Sequence, residues 1–131
     1  MQEKKIKVGI VGISFGMEFV PIYQRHPNVE SVAVADYNRS LVATCAEKFH
    51  IPAEDCYTNL DDMLKDTSID AIHICTPPAS HAELSIKALN AGRHCGCTIP
   101  MGMSIDEFIR SDRSAKEKRK EVYVPGNDRF W

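Results

Sequence analysis

Short apolar runs alternate along the chain with segments in which apolar residues recur every three or four positions. Runs rich in Val, Ile and Ala are typical of buried parallel strands. Strands are predicted at residues 6–11, 31–35, 56–57, 70–76, 94–97 and 122–124. The segments between them have helical periodicity, so the pattern predicts an α/β protein in which strands and helices alternate.

The predicted helices follow the strands closely. One apolar face comprises Phe15, Phe19, Ile22 and Tyr23, and the next comprises Leu41, Cys45 and Phe49. Pro21 either interrupts the first helix or lies in its first turn. This βα order predicts a three-layer, doubly wound parallel sheet of the Rossmann type, with helices on both faces.

Four local signals mark helix ends. Asn59 is a predicted N-cap of a short helix. Ser80 and Glu83 have the S-x-x-E spacing of a capping box, which is repeated at residues 104–107. Gly92 is a predicted helix stop.

Composition limits the classes of protein. The 131 residues are enough for one domain with a real core, and the net charge of −2 favours neither nucleic acid nor a membrane surface as partner. The N-terminus has no signal-like apolar region, and no run approaches membrane-spanning length. We therefore expect a cytoplasmic protein of one domain, residues 1–131.

Metal binding has little support in the sequence. The five cysteines include no C-x-x-C pair, so buried reduced thiols are expected rather than a zinc site or a disulfide framework. His26, His50 and His94 belong to no constellation, and His73, on a buried strand, is predicted to be a hydrogen-bonded core residue. We assign no metal.

A glycine turn follows the first strand. Gly12 supplies a tight turn, whereas a strict G-x-G-x-x-G pattern would place glycines where Ser14 and Met17 stand. Gly16 is displaced by one position. Ser14 is small and offers a hydroxyl, and the helix that opens near Phe15 and Gly16 favours an anion. The pattern predicts that Gly12, Ser14, Phe15 and Gly16 hold the pyrophosphate of a dinucleotide.

Asp36 ends the second predicted strand, 24 positions after Gly12. In dinucleotide-binding βαβ units an acid about 20 residues after the glycines binds the ribose hydroxyls. A carboxylate there favours NAD over NADP, although nearby Arg39 softens that preference and leaves NADP possible. Alternatively, Asp36 is the N-cap of the following helix.

The turn after the strand at 70–76 is a second candidate. Ligands of open α/β sheets bind outside the carboxyl ends of the strands, so Thr76 and Pro77 are predicted to border the nicotinamide half of the cofactor. An ordinary proline-terminated strand explains them equally well. His81 either points into the cleft or lies on the helix surface.

Ordered motifs over nearly the whole chain resemble the glucose–fructose oxidoreductase and inositol dehydrogenase family, Gfo/Idh/MocA. Residues 76–81 and 88–94 are similar to its T-P-x-x-x-H and A-L-x-A-G-K-H signatures. The agreement extends to the Gly12 turn, Asp36, residues 57–64 and residues 70–72. Arg129 resembles the N-x-R-F that follows the sixth strand in relatives. The resemblance implies an N-terminal NAD(P)-binding domain, with a second, substrate-binding domain absent from this chain.

One departure from the family pattern concerns catalysis. Where the family usually reads C-E-K-P, this chain has Cys97, Thr98, Ile99 and Pro100. Isoleucine cannot transfer a proton or hydrogen-bond a hydroxyl, so the usual lysine role is not transferred and no catalytic residue is assigned. Thr98 and Pro100 are predicted to line the floor of the cofactor site.

The resemblance implies hydride transfer on a sugar, polyol or related small hydroxy compound, with this chain alone inactive. Two other classes stay open: a non-catalytic nucleotide-binding or sensing module, favoured by Ile99, and an S-adenosylmethionine-binding Rossmann protein. A small-molecule substrate is the expected partner. The terminal aromatics Phe130 and Trp131 are expected to lie exposed, which favours a homo-oligomer.

Overall fold

The strands form a single sheet. The computed structural model describes residues 5–97, 122–124 and 129–130. The strands are β1 (Ile6–Val11), β2 (Val29–Ala35), β3 (Cys56–Tyr57), β4 (Ala71–Ile74), β5 (His94–Cys97), β6 (Val122–Val124) and β7 (Arg129–Phe130). They lie in the order β3-β2-β1-β4-β5-β6-β7. The first six are parallel, and β7, which the pattern did not predict, pairs antiparallel with β6.

Helices connect the parallel strands. They are α1 (Ile13–Gly16), α2 (Val20–Arg25), α3 (Arg39–Phe49), α4 (Leu60–Met63) and α5 (His81–Asn90), with 3₁₀ turns at Met17–Phe19, Ala53–Asp55 and Pro78–Ser80. The first predicted helix is thus divided by a 3₁₀ turn. Pro21 lies in the first turn of α2, where its missing N–H costs no helical hydrogen bond.

Two of the predicted helix ends are confirmed. The Asn59 side chain accepts a hydrogen bond from the Asp62 N–H at 2.7 Å. Gly92 has a φ of +83°, the left-handed conformation that ends helices. The Ser80–Glu83 capping box is wrong, because the Ser80 side chain makes no capping bond. The pattern at 104–107 lies outside the described residues.

Both faces of the sheet are covered, which confirms the doubly wound fold. Residues of α1, α2 and α3 pack on one face over Val8, Ile10, Val32, Val34 and Cys75. Residues of α4 and α5 pack on the other face over Val11, Ala33, Ala35, Ile72, Ile74 and Cys95. The side chains of Cys45, Cys75 and Cys95 are buried and that of Cys56 is half-buried, and these four cysteines form no disulfide.

Two cations bind polar groups at the end of the sheet where the parallel strands begin. The Lys7 ammonium lies 2.6 Å from Asp55 and 3.0 Å from Asp66. The buried Arg93 guanidinium donates to the carbonyls of Ile69, Ala91, Leu64 and Asp66. The carbonyls of Leu64, Asp66, Ile69 and Ala91 at this end of the strands are therefore satisfied within the chain.

His73 is a hydrogen-bonded core residue, as predicted. It is 4% exposed, and its Nδ1 lies 2.7 Å from the Tyr23 hydroxyl, which joins β4 to α2. Nε2 has no hydrogen-bond partner among the described residues. Burial lowers the pKa of His73 from 6.5 to about 4, because the interior disfavours the charged imidazolium.

We predict that this histidine makes stability depend on pH. The unfolded chain takes up a proton near pH 6.5 and the folded chain near 4, so stability is constant above the first value and falls as pH drops between the two. The full loss is about 3 kcal/mol. Urea unfolding between pH 4 and 8 measures it. His73→Gln, which cannot titrate, should flatten the slope, and an unchanged slope would exclude His73 as its source.

Candidate functional site

A cleft of about 270 Å³ opens at the carboxyl ends of β1, β2 and β4. The strand order reverses between β1 and β4, and ligands of open α/β sheets bind at such a point. Five of the predicted site residues line it together: Gly12, Ser14, Asp36, Thr76 and Pro77. Phe15, Gly16 and His81 do not line it, and Thr98 and Pro100 lie outside the described residues.

Gly12 brings the ends of three strands together. Its φ is +92°, and a Cβ there would lie 2.7 Å from both the carbonyl carbon of Cys75 and the nitrogen of Thr76. Its N–H donates to the Ala35 carbonyl at 2.9 Å. The turn therefore needs glycine for its conformation and also for the close approach of the β4 backbone.

Gly16 packs a helix instead of facing the cleft. A Cβ there would lie 2.7 Å from the Ile10 Cγ2 and 3.2 Å from the Cys75 Cβ, so only glycine lets α1 sit this close to β1 and β4. The N–H of Gly16 donates to the Gly12 carbonyl at 2.9 Å. The displaced glycine thus serves helix–strand packing. Phe15 is 51% exposed, and its ring contacts Phe19 with centroids 5.6 Å apart.

Two backbone donors orient the Asp36 carboxylate. Oδ2 accepts from the Ile13 N–H at 2.7 Å, and Oδ1 accepts from the Asn38 N–H at 2.8 Å. Asp36 is not the helix N-cap, because Asn38 caps α3 through the Leu41 N–H. Each carboxylate oxygen retains further acceptor capacity, so the group can still accept from two neighbouring hydroxyls in the cleft.

The Ser80 hydroxyl binds the turn that follows β4. Its Oγ lies 2.7 Å from the Thr76 Oγ1 and 2.9 Å from the Pro77 carbonyl. A capping serine needs an extended backbone, but the 3₁₀ turn at Pro78–Ser80 runs directly into α5 and holds Ser80 at φ −98°, ψ −5°. This conformation explains why the predicted capping box does not form.

His81 is buried beneath the same turn. It is 1% exposed, and its Nε2 lies 2.5 Å from the Thr76 carbonyl oxygen. The helix-surface interpretation is therefore wrong, and the side chain does not enter the cleft either. The sequence carries no local signal for this contact, because it joins the first residue of α5 to the end of β4.

Sequence reasoning missed most of the residues that line the cleft, including Tyr37, Ser80, Glu83 and Lys87. Tyr37, directly after Asp36, lines the cleft and is 85% exposed, and Glu83 and Lys87 face it from α5. The Lys87 ammonium lies 3.4 Å from Asp61 and 4.0 Å from Glu83. The four-residue spacing of Glu83 and Lys87 is the signal that could have found this pair.

Two other kinds of site are absent from the part of the chain that the structure describes. Within residues 5–97, 122–124 and 129–130, no three His, Cys, Asp or Glu side chains form a group that could hold a metal. No helix there is both long enough and apolar enough to cross a membrane.

The chain is similar to known oxidoreductases in sequence. Residues 6–125 match the model of the Gfo/Idh/MocA oxidoreductase family, NAD-binding Rossmann fold. The chain is 31% identical over 128 residues to the uncharacterized oxidoreductase YrbE of Bacillus subtilis, covering 97% of this chain and 37% of that protein. It is 31% identical over 125 residues to inositol 2-dehydrogenase of Salmonella typhimurium, covering 92% and 36%.

Solved structures share the fold. The WlbA dehydrogenase from Bordetella pertussis, solved with NADH and UDP-GlcNAcA, matches with a TM-score of 0.85 and 23% identity, over 95% of this chain and 36% of that one. Myo-inositol 2-dehydrogenase from Lactobacillus plantarum matches with a TM-score of 0.81 and 25% identity, over 92% and 36%. The chain thus spans little more than a third of these relatives.

We predict that Gly12→Ala disrupts the cleft. The alanine would combine an unfavourable φ with a clash against the β4 backbone, costing at least about 3 kcal/mol in the free energy of unfolding. Gly92→Ala is the matched control, because its φ is also positive but its added methyl meets open space, and it should cost about 1–2 kcal/mol. Equal losses in denaturant unfolding would contradict the close-approach argument.

Proposed function

We propose a function on the premise that this chain belongs to the Gfo/Idh/MocA oxidoreductase family, whose NAD-binding Rossmann fold its residues 6–125 match. The cleft at the ends of β1, β2 and β4 binds NAD(H). Bound NAD supplies the hydride acceptor. The observation that carries the proposal is the Asp36 carboxylate, held by Ile13 and Asn38 beside the Gly12 turn with acceptor capacity to spare.

The residues present fit a dinucleotide. Gly12 and Ser14 line the cleft where the helical segment 13–25 begins, and Ser14 offers a hydroxyl there. We propose that these two residues hold the pyrophosphate and that Asp36 accepts from the adenosine ribose. Phe15 and Gly16 support the same turn through packing.

Other predicted residues have proposed roles on either side of the pyrophosphate and the adenosine ribose. Thr76 and Pro77 border the nicotinamide half, and His81 acts on it only through the Thr76 carbonyl. Thr98 and Pro100 remain predicted floor residues. Tyr37, exposed at the rim, is placed to cover the adenine.

Charge in the cleft favours NAD over NADP. Asp36 and Glu83 both line it, and two carboxylates disfavour the extra phosphate that NADP carries on its ribose. Lys87 faces the same space but is already paired with Asp61 and Glu83. Arg39, exposed at the start of α3, keeps NADP possible as a weaker ligand.

Asp36→Asn tests the cofactor site. The amide keeps the side-chain shape but loses the charge and one of the two backbone hydrogen bonds, because its NH2 group cannot accept, so NAD binding should weaken by about 1.5–3 kcal/mol and NADP binding by less. Calorimetric titration of both cofactors measures the difference. Glu54→Gln, an exposed carboxylate on another turn, is the control and should change neither affinity. Equal losses for the two cofactors would contradict the ribose assignment.

The activity of the whole protein is proposed from the family. It is hydride transfer between the nicotinamide C4 and a hydroxyl-bearing carbon of a sugar, polyol or related compound, in a cytoplasmic homo-oligomer. Residues 1–131 would supply its dinucleotide-binding domain. No catalytic residue is assigned, because Ile99 stands where relatives carry lysine. In the described residues nothing favours the sensing or S-adenosylmethionine alternatives.

This chain alone should show no dehydrogenase turnover. It spans little more than a third of its relatives and lacks the lysine that resemblance would assign to catalysis. The measurement is NADH formation by the purified chain with a panel of inositols, aldoses and other polyols. Binding of NAD without turnover is the expected result. Steady turnover would show that these residues suffice for the chemistry.

A further inference from the structure

We infer that Ser80 and His81, here called the α5 latch, position the Thr76–Pro77 turn for dinucleotide binding. These two consecutive residues at the start of α5 both reach back to the end of β4. Ser80 also lines the cleft, whereas His81 does not, and neither is proposed to touch the reacting atoms, so both are positioning residues. The inference rests on the proposed NAD site and adds to it the residues that shape its β4 wall.

The α5 latch makes hydrogen bonds to both Thr76 and Pro77. The Ser80 Oγ lies 2.7 Å from the Thr76 Oγ1 and 2.9 Å from the Pro77 carbonyl, and the Ser80 N–H donates to that same carbonyl at 3.1 Å. The Nε2 of His81 lies 2.5 Å from the Thr76 carbonyl. Since a carbonyl oxygen only accepts, His81 donates from Nε2, and that nitrogen carries a proton.

The sequence of the turn makes these outside contacts necessary. Pro77 and Pro78 have no N–H, so the turn has few backbone donors of its own. The carbonyls of Thr76 and Pro77 must then find donors elsewhere, and the α5 latch supplies them. Burial of His81 at 1% exposure shields its bond from water, which strengthens it.

The Thr76–Pro77 turn also lies against the turn at Gly12. The backbone of Cys75 and Thr76 lies so close to Gly12 that a Cβ there would be 2.7 Å away. Thr76 and Pro77 also line the cleft themselves. Release of the Thr76 carbonyl would therefore loosen the β4 wall of the cleft.

The adenosine end has independent support. Asp36 is held by the N–H groups of Ile13 and Asn38, and neither bond involves α5. A loose α5 latch should therefore weaken ligands that span the whole cleft more than a ligand that uses only the Asp36 end. NAD and AMP are such a pair of probes.

Titration of the full chain with NAD and with AMP tests the inference. Ser80→Ala should weaken NAD binding by about threefold to tenfold, the effect of one lost hydrogen bond, and change AMP binding by less than about twofold. Ser80→Thr, which keeps the hydroxyl, should restore NAD affinity. Ser40→Ala, which changes an exposed serine in the first turn of α3 away from the cleft, is the control and should leave both affinities unchanged.

A second pair of variants tests His81, the buried residue of the α5 latch. His81→Gln retains a donor near the Nε2 position and should bind NAD better than His81→Leu. If His81→Leu fails to fold by circular dichroism, Ser80→Ala and His81→Gln decide. The inference is overturned if folded Ser80→Ala binds NAD as the parent does, or loses NAD and AMP equally. No NAD binding by the parent chain would instead overturn the proposed function.

Discussion

The structure depends on the close approach of the β1–α1 turn to the end of β4. The backbone of Cys75 and Thr76 touches Gly12 so closely that no side chain fits between them. This contact joins the two halves of the sheet where their helices diverge to opposite faces. It also leaves the space in front of the strand ends open, so one constraint produces both the packing of the halves and the cleft.

The polar groups at the two ends of the parallel strands differ in their partners. At the end of the sheet where the strands begin, Lys7 and Arg93 bind carboxylates and carbonyls of the chain itself. At the opposite ends of the strands, the Asp36 carboxylate is held by two backbone N–H groups yet keeps acceptor capacity. Buried polar groups need partners, and a ligand is one way to supply them. This difference, together with the family, supports the cleft as the cofactor site.

Several residues shape the cleft through contacts with a neighbouring element. Gly16 lets α1 pack against Ile10 and Cys75, the His81 ring binds a carbonyl at the end of β4, and the Ser80 hydroxyl binds the same turn instead of capping α5. Of these three residues only Ser80 lines the cleft, so inspection of the cleft-lining residues alone would miss Gly16 and His81.

Local patterns determined the order of elements, the Asn59 cap, the Gly92 stop and the spacing of Gly12 and Asp36, because these depend on residues a few positions apart or on one repeated supersecondary unit. The resemblance in motifs extended that prediction to the family. Only the tertiary structure decided that Gly16 packs against Ile10 and Cys75, that Asp36 is not a cap, and that His81 is buried. Those outcomes depend on contacts between segments distant in sequence, where a long-range hydrogen bond or a steric clash outweighs local preference.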